Sequence, residues 1–154
     1  MKSIPETDPV RCFLDSNIWL YAFIRSQHPG KSDIAKALLR TNEVIVSTQV
    51  INEVSINLIK KAGFNEGRIR ALIASFYQRQ EVVETGLEVL LAASTLRSRY
   101  RFSFWDSLIV SGALMGEVSV LYSEDMHDGL VVDNQLQIID PFTPDRTDSQ
   151  LLSC

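Results

Sequence analysis

Short apolar runs alternate along this chain with longer segments in which apolar residues recur at helical spacing. The short runs predict strands near residues 10–14, 44–46, 81–83, 119–122 and 136–139. The longer segments predict helices near residues 17–23, 31–39, 48–62, 66–78, 87–99 and 105–115. Strands separated by helices imply a parallel sheet covered on both faces. We therefore predict an α/β fold with a central, mainly parallel sheet of about five strands.

Chain length and composition indicate one globular domain. The 154 residues, 45% hydrophobic and 22% charged, are enough to bury a single core. Residues 1–9 carry Pro5 and Pro9 and little apolar content, so they predict a loose N-terminal arm. Residues 143–154 begin with Thr-Pro-Asp-Arg and predict a loose C-terminal tail. The folded domain is expected to span residues 10–142.

Charge, cysteine content and hydropathy narrow the classes of function. A net charge of −4 and a pI near 5.1 argue against a general basic nucleic-acid coat, although an acidic pocket loaded with metal is locally cationic. Cys12 and Cys154 are too few for a thiolate zinc site and predict no framework disulfide. The sequence has no membrane-spanning apolar run, and its first residues lack a signal-peptide core. We expect a cytoplasmic protein without membrane contact.

Four acidic residues adjoin apolar segments, where a carboxylate does little for folding. Asp15 and Asp125 each follow a predicted strand, Asp106 opens a predicted helix after the N-cap candidate Ser103, and Glu53 lies inside another helix. Open α/β sheets bind ligands at the carboxyl ends of their strands. Carboxylates that converge there repel one another unless a cation joins them, and oxygen ligands suit Mg²⁺ or Mn²⁺. This pattern suggests a divalent-metal phosphodiester hydrolase.

Each acid also has an ordinary structural interpretation. Asp15 could cap the helix that follows it, and Asp106 could serve the helix dipole. Glu53 borders an apolar stripe but could be solvated, and the acidic segment 123–129 resembles a surface turn. It is the joint pattern of strand-end and helix-start placements that favours a shared site.

Basic residues form two groups along the chain, and His127 lies beside the acidic turn. Most such groups are solvated helix faces, yet each phosphate contact needs only one well-placed cation, so either group could hold an RNA backbone. His127 could bind substrate or belong to an ordinary surface loop. The two groups are Lys60, Lys61, Arg68 and Arg70, and Arg97, Arg99 and Arg101.

At these acids the sequence resembles PIN-domain ribonucleases of the VapC type, the toxin halves of prokaryotic toxin–antitoxin pairs. The resemblance covers about residues 11–142, and it departs from the family pattern where Ser123 replaces the more usual Thr and Asp140 replaces Asn. Its motifs are FLDSNIWLY at 13–21, STQVINE at 47–53, FWDSLI at 104–109, SED at 123–125 and IDPF at 139–142.

The resemblance implies a PIN-like domain and a metal-dependent endoribonuclease that uses a metal-activated water. Asp15 and Asp106 would be the principal ligands of Mg²⁺ or Mn²⁺, with Glu53 and Asp125 completing the catalytic pocket. Asn17 and Ser123 would orient substrate or water by hydrogen bonds. Asp128 is an alternative fourth acid, although position favours Asp125.

The same resemblance implies partners. The substrate would be RNA with an exposed single-stranded segment, and the protein would be a homodimer held by a cognate antitoxin that covers the acidic pocket.

Three other interpretations stay open: a housekeeping PIN nuclease, a catalytically inactive PIN-fold module that binds RNA or protein, and a phosphatase with Asp15 as nucleophile. The phosphatase is disfavoured because such sites need a second Asp where Asn17 stands.

Overall fold

Parallel strands and helices alternate through residues 10–143, which are the residues that the computed structural model describes. The predicted arm at 1–9, the tail from residue 144 onward and Cys154 lie outside the described residues. Thr143, at the start of the predicted tail, donates its hydroxyl to the carbonyl oxygen of Asp140 at 3.0 Å. The elements are β1 (Arg11–Leu14), α1 (Ser16–Phe23), α2 (Pro29–Thr41), β2 (Glu43–Ser47), α3 (Thr48–Ala62), α4 (Glu66–Arg79), β3 (Glu81–Val83), α5 (Leu87–Arg99), α6 (Phe104–Met115), β4 (Val120–Tyr122), β5 (Val131–Val132) and β6 (Leu136–Ile139).

The sheet has the strand order β3-β2-β1-β4-β6-β5, and every neighbouring pair is parallel except β5 with β6. The predicted α/β class and the five predicted strands are therefore confirmed, and β5 is a sixth strand at the edge. β5 is two residues long, too short for a period-2 pattern to reveal. It turns into β6 through Asp133 and Asn134, whose φ angles of 51° and 56° are those of a tight hairpin turn.

The helices fall into two packed groups that flank the sheet. Helix α1 packs against α2 and α3, α3 contacts α4, and α5 packs along α6. The chain steps one way from β1 to β2 to β3 and then returns to β4, so right-handed crossovers place the two groups on opposite faces. No helix in the described part of the chain is long and apolar enough to cross a membrane.

The middle of the sheet is its most apolar part. Cys12, Phe13 and Leu14 of β1 are fully buried, and β4 beside them is buried throughout. Helix α6 packs so closely on β2 that a Cβ atom at Gly112 would lie 3.2 Å from the Cβ of Ser47. These contacts fix the positions at which β1, β4 and α6 present the residues next to their ends.

The chain reverses its direction of travel across the sheet between β1 and β4. From β1 it builds outward through β2 and β3, and it returns to place β4 on the other side of β1. In open α/β sheets such a reversal opens a crevice at the carboxyl ends of the two strands. Asp15 directly follows β1, and Ser123 directly follows β4.

Candidate metal centre

Asp15 stands at the base of this crevice, where β1 ends and α1 begins. It is the N-cap residue of α1, and its backbone N–H donates to the carbonyl oxygen of Tyr122 at 2.9 Å, which extends the pairing of β1 with β4. One side-chain oxygen accepts the backbone N–H of Ser16 at 2.7 Å, and the other accepts the Ser123 hydroxyl at 2.8 Å. Both oxygens are therefore held in a fixed orientation although the residue is only 5% exposed.

The electrostatic setting of Asp15 favours its neutral form. Burial raises the pKa of Asp15 from 3.8 to about 6, because a charge is poorly solvated there. The hydrogen bonds from Ser123 and Ser16 lower this pKa, whereas the charges of Glu53 and Asp106 raise it further. A cation bound at this position would relieve both the desolvation and the repulsion.

Glu53 approaches Asp15 from α3. One of its oxygens accepts the Ser16 hydroxyl at 3.0 Å, and the other accepts the side-chain amide of Gln49 at 2.8 Å. Ser16 thus contacts two acids, since its backbone N–H donates to Asp15 and its hydroxyl to Glu53. The half-buried Glu53 borders the apolar face of α3 as the sequence predicted, and it faces the crevice.

Asp106 lies in the first turn of α6, and its backbone N–H donates to the hydroxyl of the N-cap Ser103 at 3.1 Å. The pKa of Asp106 is raised, chiefly because the side chain is half-buried. The neighbouring charges of Asp125 and Glu53 raise it as well, and Ser103 lowers it. Asp106 therefore shares one region with the other three acids.

Asp125 reaches the site from the loop after β4. Its backbone N–H donates to the Ser123 hydroxyl oxygen at 3.2 Å, and its carboxylate accepts the side-chain amide of Asn17 at 2.9 Å. Ser123 is thus in contact with two of the acids, Asp15 and Asp125. Asn17 and Ser123, predicted to orient substrate or water, are placed against the carboxylates and hold their orientation.

The other acids of this loop have structural partners. Glu124 forms an ion pair with Lys31 and accepts the Tyr21 hydroxyl at 2.6 Å, and these contacts lower the pKa of Glu124 against the effect of burial. The carboxylate of Asp128 accepts the backbone N–H of Asp140 at 2.9 Å, which holds the loop to the end of β6. Asp125 lines the same cavity as Asp106 and its charge raises the pKa of Asp106, so the geometry favours Asp125 over Asp128 as the fourth acid.

The donor set fits a hard divalent cation, although it is not drawn together as a finished coordination shell. Within residues 10–143 none of the four acids forms an ion pair, and no three His, Cys, Asp or Glu side chains are grouped tightly enough to hold a metal. The buried side-chain oxygen of Asn17 has no hydrogen-bond partner there. Carboxylate oxygens with an unsatisfied amide oxygen beside them match the chemistry that Mg²⁺ or Mn²⁺ and their waters require.

Two residues that organise the site had not been singled out from the sequence. Gln49 is four residues before Glu53, a spacing that places both on one helix face and could have indicated the pair. Ser16 directly follows Asp15, but nothing in the sequence tells that its hydroxyl would turn toward α3. That contact depends on the way α1 and α3 pack.

Comparison with protein families and solved structures identifies the fold. A family model described as "PIN domain" matches residues 12–127. No curated protein sequence matches the chain. Among solved structures, a toxin–antitoxin complex from Klebsiella pneumoniae contains a chain 18% identical to this one, with a TM-score of 0.63 over 85% of this chain and 98% of that one.

Two further solved structures have the same architecture. The Mycobacterium tuberculosis toxin VapC20, described as a Sarcin-Ricin loop cleaving toxin, is 18% identical, with a TM-score of 0.58 over 71% of this chain and 86% of its own. A chain in the DNA-bound VapBC complex of Salmonella typhimurium is 16% identical, with a TM-score of 0.59 over 86% of this chain and 98% of its own. At these identities the likeness is one of fold.

Proposed function

This chain belongs to the PIN domain family, and we propose on that basis that it is a divalent-metal-dependent endoribonuclease. The observation that carries the proposal is the gathering, at the crevice between β1 and β4, of four carboxylates that have no ion-pair partner within residues 10–143. Such a group costs stability unless a cation is bound, and the fold offers many positions where acids would cost less. Its presence at the ligand-binding edge of the sheet supports a catalytic role.

Asp15 and Asp106 are the proposed principal ligands, and Glu53 and Asp125 complete the negative pocket. When bound, Mg²⁺ or Mn²⁺ supplies the positive charge that lets water attack a phosphodiester near neutral pH. Ser16 and Ser123 keep the Asp15 oxygens in one orientation, and Ser123 also tethers the loop that carries Asp125. These side chains act as positioning residues, and the proposed reaction needs no protein nucleophile.

We further propose that the protein is the cytoplasmic toxin of a type II toxin–antitoxin pair, acting as a homodimer on RNA. The support is the likeness of its fold to chains of solved toxin–antitoxin complexes and to a toxin described as cleaving the Sarcin-Ricin loop. The unpaired carboxylates also suit an inhibitor that brings its own cation. An antitoxin Arg or Lys in the pocket would pair with the acids and compete with the metal.

Cleavage of single-stranded RNA by the purified protein tests the nuclease proposal. We expect cleavage with Mn²⁺ or Mg²⁺ and none with EDTA. Asp106→Asn should lower the rate at least roughly a hundredfold, because it removes a metal ligand. Asp128→Asn is the matched control, since it makes the same change in a carboxylate that holds the neighbouring loop, and it should retain most of the activity.

The same assay separates the alternatives. Equal activity of the parent and Asp106→Asn would overturn the metal-site assignment. No cleavage by the parent under any metal condition would favour an inactive PIN-fold binding module. Loss of activity in Asp128→Asn but not in Asp125→Asn would make Asp128 the fourth acid.

Co-expression with the adjacent small open reading frame tests the toxin proposal. Purification by a tag on this chain alone should recover a second, smaller protein, and this chain expressed alone should arrest growth. Asp106→Asn should relieve the arrest, because toxicity requires cleavage. A lone active nuclease without a growth defect would favour a housekeeping role.

A further inference from the structure

A cavity of about 360 Å³ adjoins the acidic site on the side of α6 and the loop after β4. Asp106 and Asp125 line one side of it, so whatever occupies the cavity contacts the region of the acids. The rest of its wall comes from residues 100–102, which connect α5 to α6, and from Met126, His127 and Leu130. Its volume lies within the range of small-ligand sites in proteins.

One part of this wall is apolar and firmly held. Tyr100 and Phe102 have ring centroids 5.6 Å apart, and both are half-buried against the core together with Met126. The Tyr100 hydroxyl accepts the backbone N–H of Asp133 at 3.0 Å, and it donates to the Asp133 carboxylate at 3.3 Å. Because hydrogen bonds hold the Tyr100 hydroxyl, the aromatic surface is preorganised. Such a surface suits a planar ligand.

The cavity also carries positive charge that the fold does not use. Of the three arginines around this connection, Arg97 donates to the Ser107 hydroxyl at 2.7 Å and lies over the Phe104 ring, and Arg99 pairs with Asp133 at 2.9 Å. Arg101 is exposed and lines the cavity, and its side chain has no hydrogen bond or ion pair within residues 10–143. The exposed side chain of His127 lines the same cavity and likewise makes no hydrogen bond with the described residues.

We propose that this cavity binds the nucleotide next to the scissile phosphodiester of a single-stranded RNA, with its phosphate on Arg101 and its base against Tyr100 and Phe102. This inference rests on the proposed function, and it assigns a substrate-binding role to residues outside the metal site. The charge balance supports it, because an RNA strand that approaches the four acids is repelled and needs a cation close beside them. A guanidinium suits a phosphate, and aromatic faces accept any base.

The test compares Arg101→Gln with the parent and with Arg40→Gln as a charge-matched control. Arg40 is an exposed arginine near the end of α2, just before β2 begins. It therefore lies near the starts of the parallel strands, whereas the acidic site lies at their ends. Binding of a fluorescent single-stranded RNA octamer of mixed sequence is followed by anisotropy in EDTA at several salt concentrations. Gel analysis of the RNA afterwards verifies that it stayed intact.

We expect Arg101→Gln to weaken binding roughly tenfold at low salt, as the loss of one charge-assisted contact predicts. The slope of log K against log salt should fall by about 0.7, the value for one phosphate contact to a single strand. Arg40→Gln should leave affinity and slope unchanged. Phe102→Leu should weaken binding several-fold with an unchanged slope, because it removes stacking and keeps the charge. Melting curves verify that each variant is folded.

Parental affinity and salt slope in Arg101→Gln would overturn the inference, and so would an absence of RNA binding by the parent. These failures are distinct from failure of the nuclease. If the parent cleaves RNA with metal and Arg101→Gln binds RNA like the parent, the nuclease proposal is supported and this subsite is rejected. Arg101-dependent binding in a protein that never cleaves RNA supports the cavity and counts against catalysis.

Discussion

The two ends of the parallel strands both carry acidic residues, but the protein balances their charge in different ways. Where the strands begin, Glu43 of β2 and Glu81 of β3 accept hydrogen bonds from Arg11 of β1 at 3.0 and 3.2 Å. The same guanidinium donates to the carbonyl oxygen of Gly116 after α6 at 2.6 Å. One arginine therefore joins three strands and a helix end, and its positive charge pairs with both glutamates.

Where the strands end, the acids accept hydrogen bonds but form no ion pair with a basic side chain within residues 10–143. Asp15 and Glu53 are held by serine and glutamine side chains, and Asp125 by Asn17. Hydrogen bonds fix their orientation without cancelling their charge, so burial and mutual repulsion raise the pKa of Asp15 to about 6. This contrast supports the proposed cation site at the strand ends, because carboxylates without ion-pair partners lower stability and a bound cation can use them.

The largest expected effect on stability lies at the strand ends and concerns Asp15. Its pKa is 3.8 in the reference state and about 6 in the fold, so the folded protein binds the proton more tightly. The contribution of Asp15 to stability is then fully present at low pH and is lost as the pH rises through this window. In EDTA the ionisation of Asp15 should lower the free energy of unfolding by roughly 2 kcal/mol between about pH 4 and about pH 7.

Urea unfolding of the parent and of Asp15→Asn across this range measures that contribution. The difference in unfolding free energy between the two should grow in favour of the variant as pH rises. A constant difference would mean that Asp15 is charged at no cost, and the contrast between the two edges would lose its main support.

A smaller effect is expected at the strand starts. Arg11→Gln removes two ion pairs and a hydrogen bond to a backbone carbonyl, but Glu43 and Glu81 are more than half exposed, so solvent screens both pairs. We expect a loss of about 1–2 kcal/mol in unfolding free energy, with unchanged RNA cleavage per folded molecule. Urea unfolding and the cleavage assay measure the two quantities.

Arg25→Gln is the matched control for that variant. Arg25 pairs with Asp33 at 3.6 Å, and both side chains are more than half exposed, so its loss should cost less than about 0.5 kcal/mol. Equal losses in the two variants would show that Arg11 acts as an ordinary surface charge. A fall in the specific activity of Arg11→Gln would show that the two edges are coupled.

Much of the fold could be predicted because burial imposes a simple pattern on it. The central strands are buried on both faces and read as apolar runs, and the helix starting after Ser103 has an N-cap that confirms the expected boundary. The edge strand β5 was not predicted because Val131–Val132 is too short to show an alternating pattern. It is a strand because it pairs with β6.

The candidate site was predictable in its acids and not in their surroundings. Strand ends and helix starts indicated Asp15, Asp106 and Asp125 because the parallel topology brings such positions to one edge. The distinction between Asp125 and Asp128 depends on the path of the loop, which the sequence does not encode locally. Arg101 could not be distinguished from Arg97 and Arg99 by sequence either. The fold separates them, because it gives Arg97 and Arg99 side-chain partners.

Calorimetric titration of Mn²⁺ into the metal-free protein tests most directly the claim that the acids at the strand ends form a cation site. The parent should bind Mn²⁺, and Asp106→Asn should bind it at least roughly tenfold more weakly, because a ligand has been removed. Glu53→Gln should weaken binding several-fold, and Arg11→Gln at the other edge should bind Mn²⁺ like the parent. No binding by the parent, or equal binding by the parent and Asp106→Asn, would contradict the account.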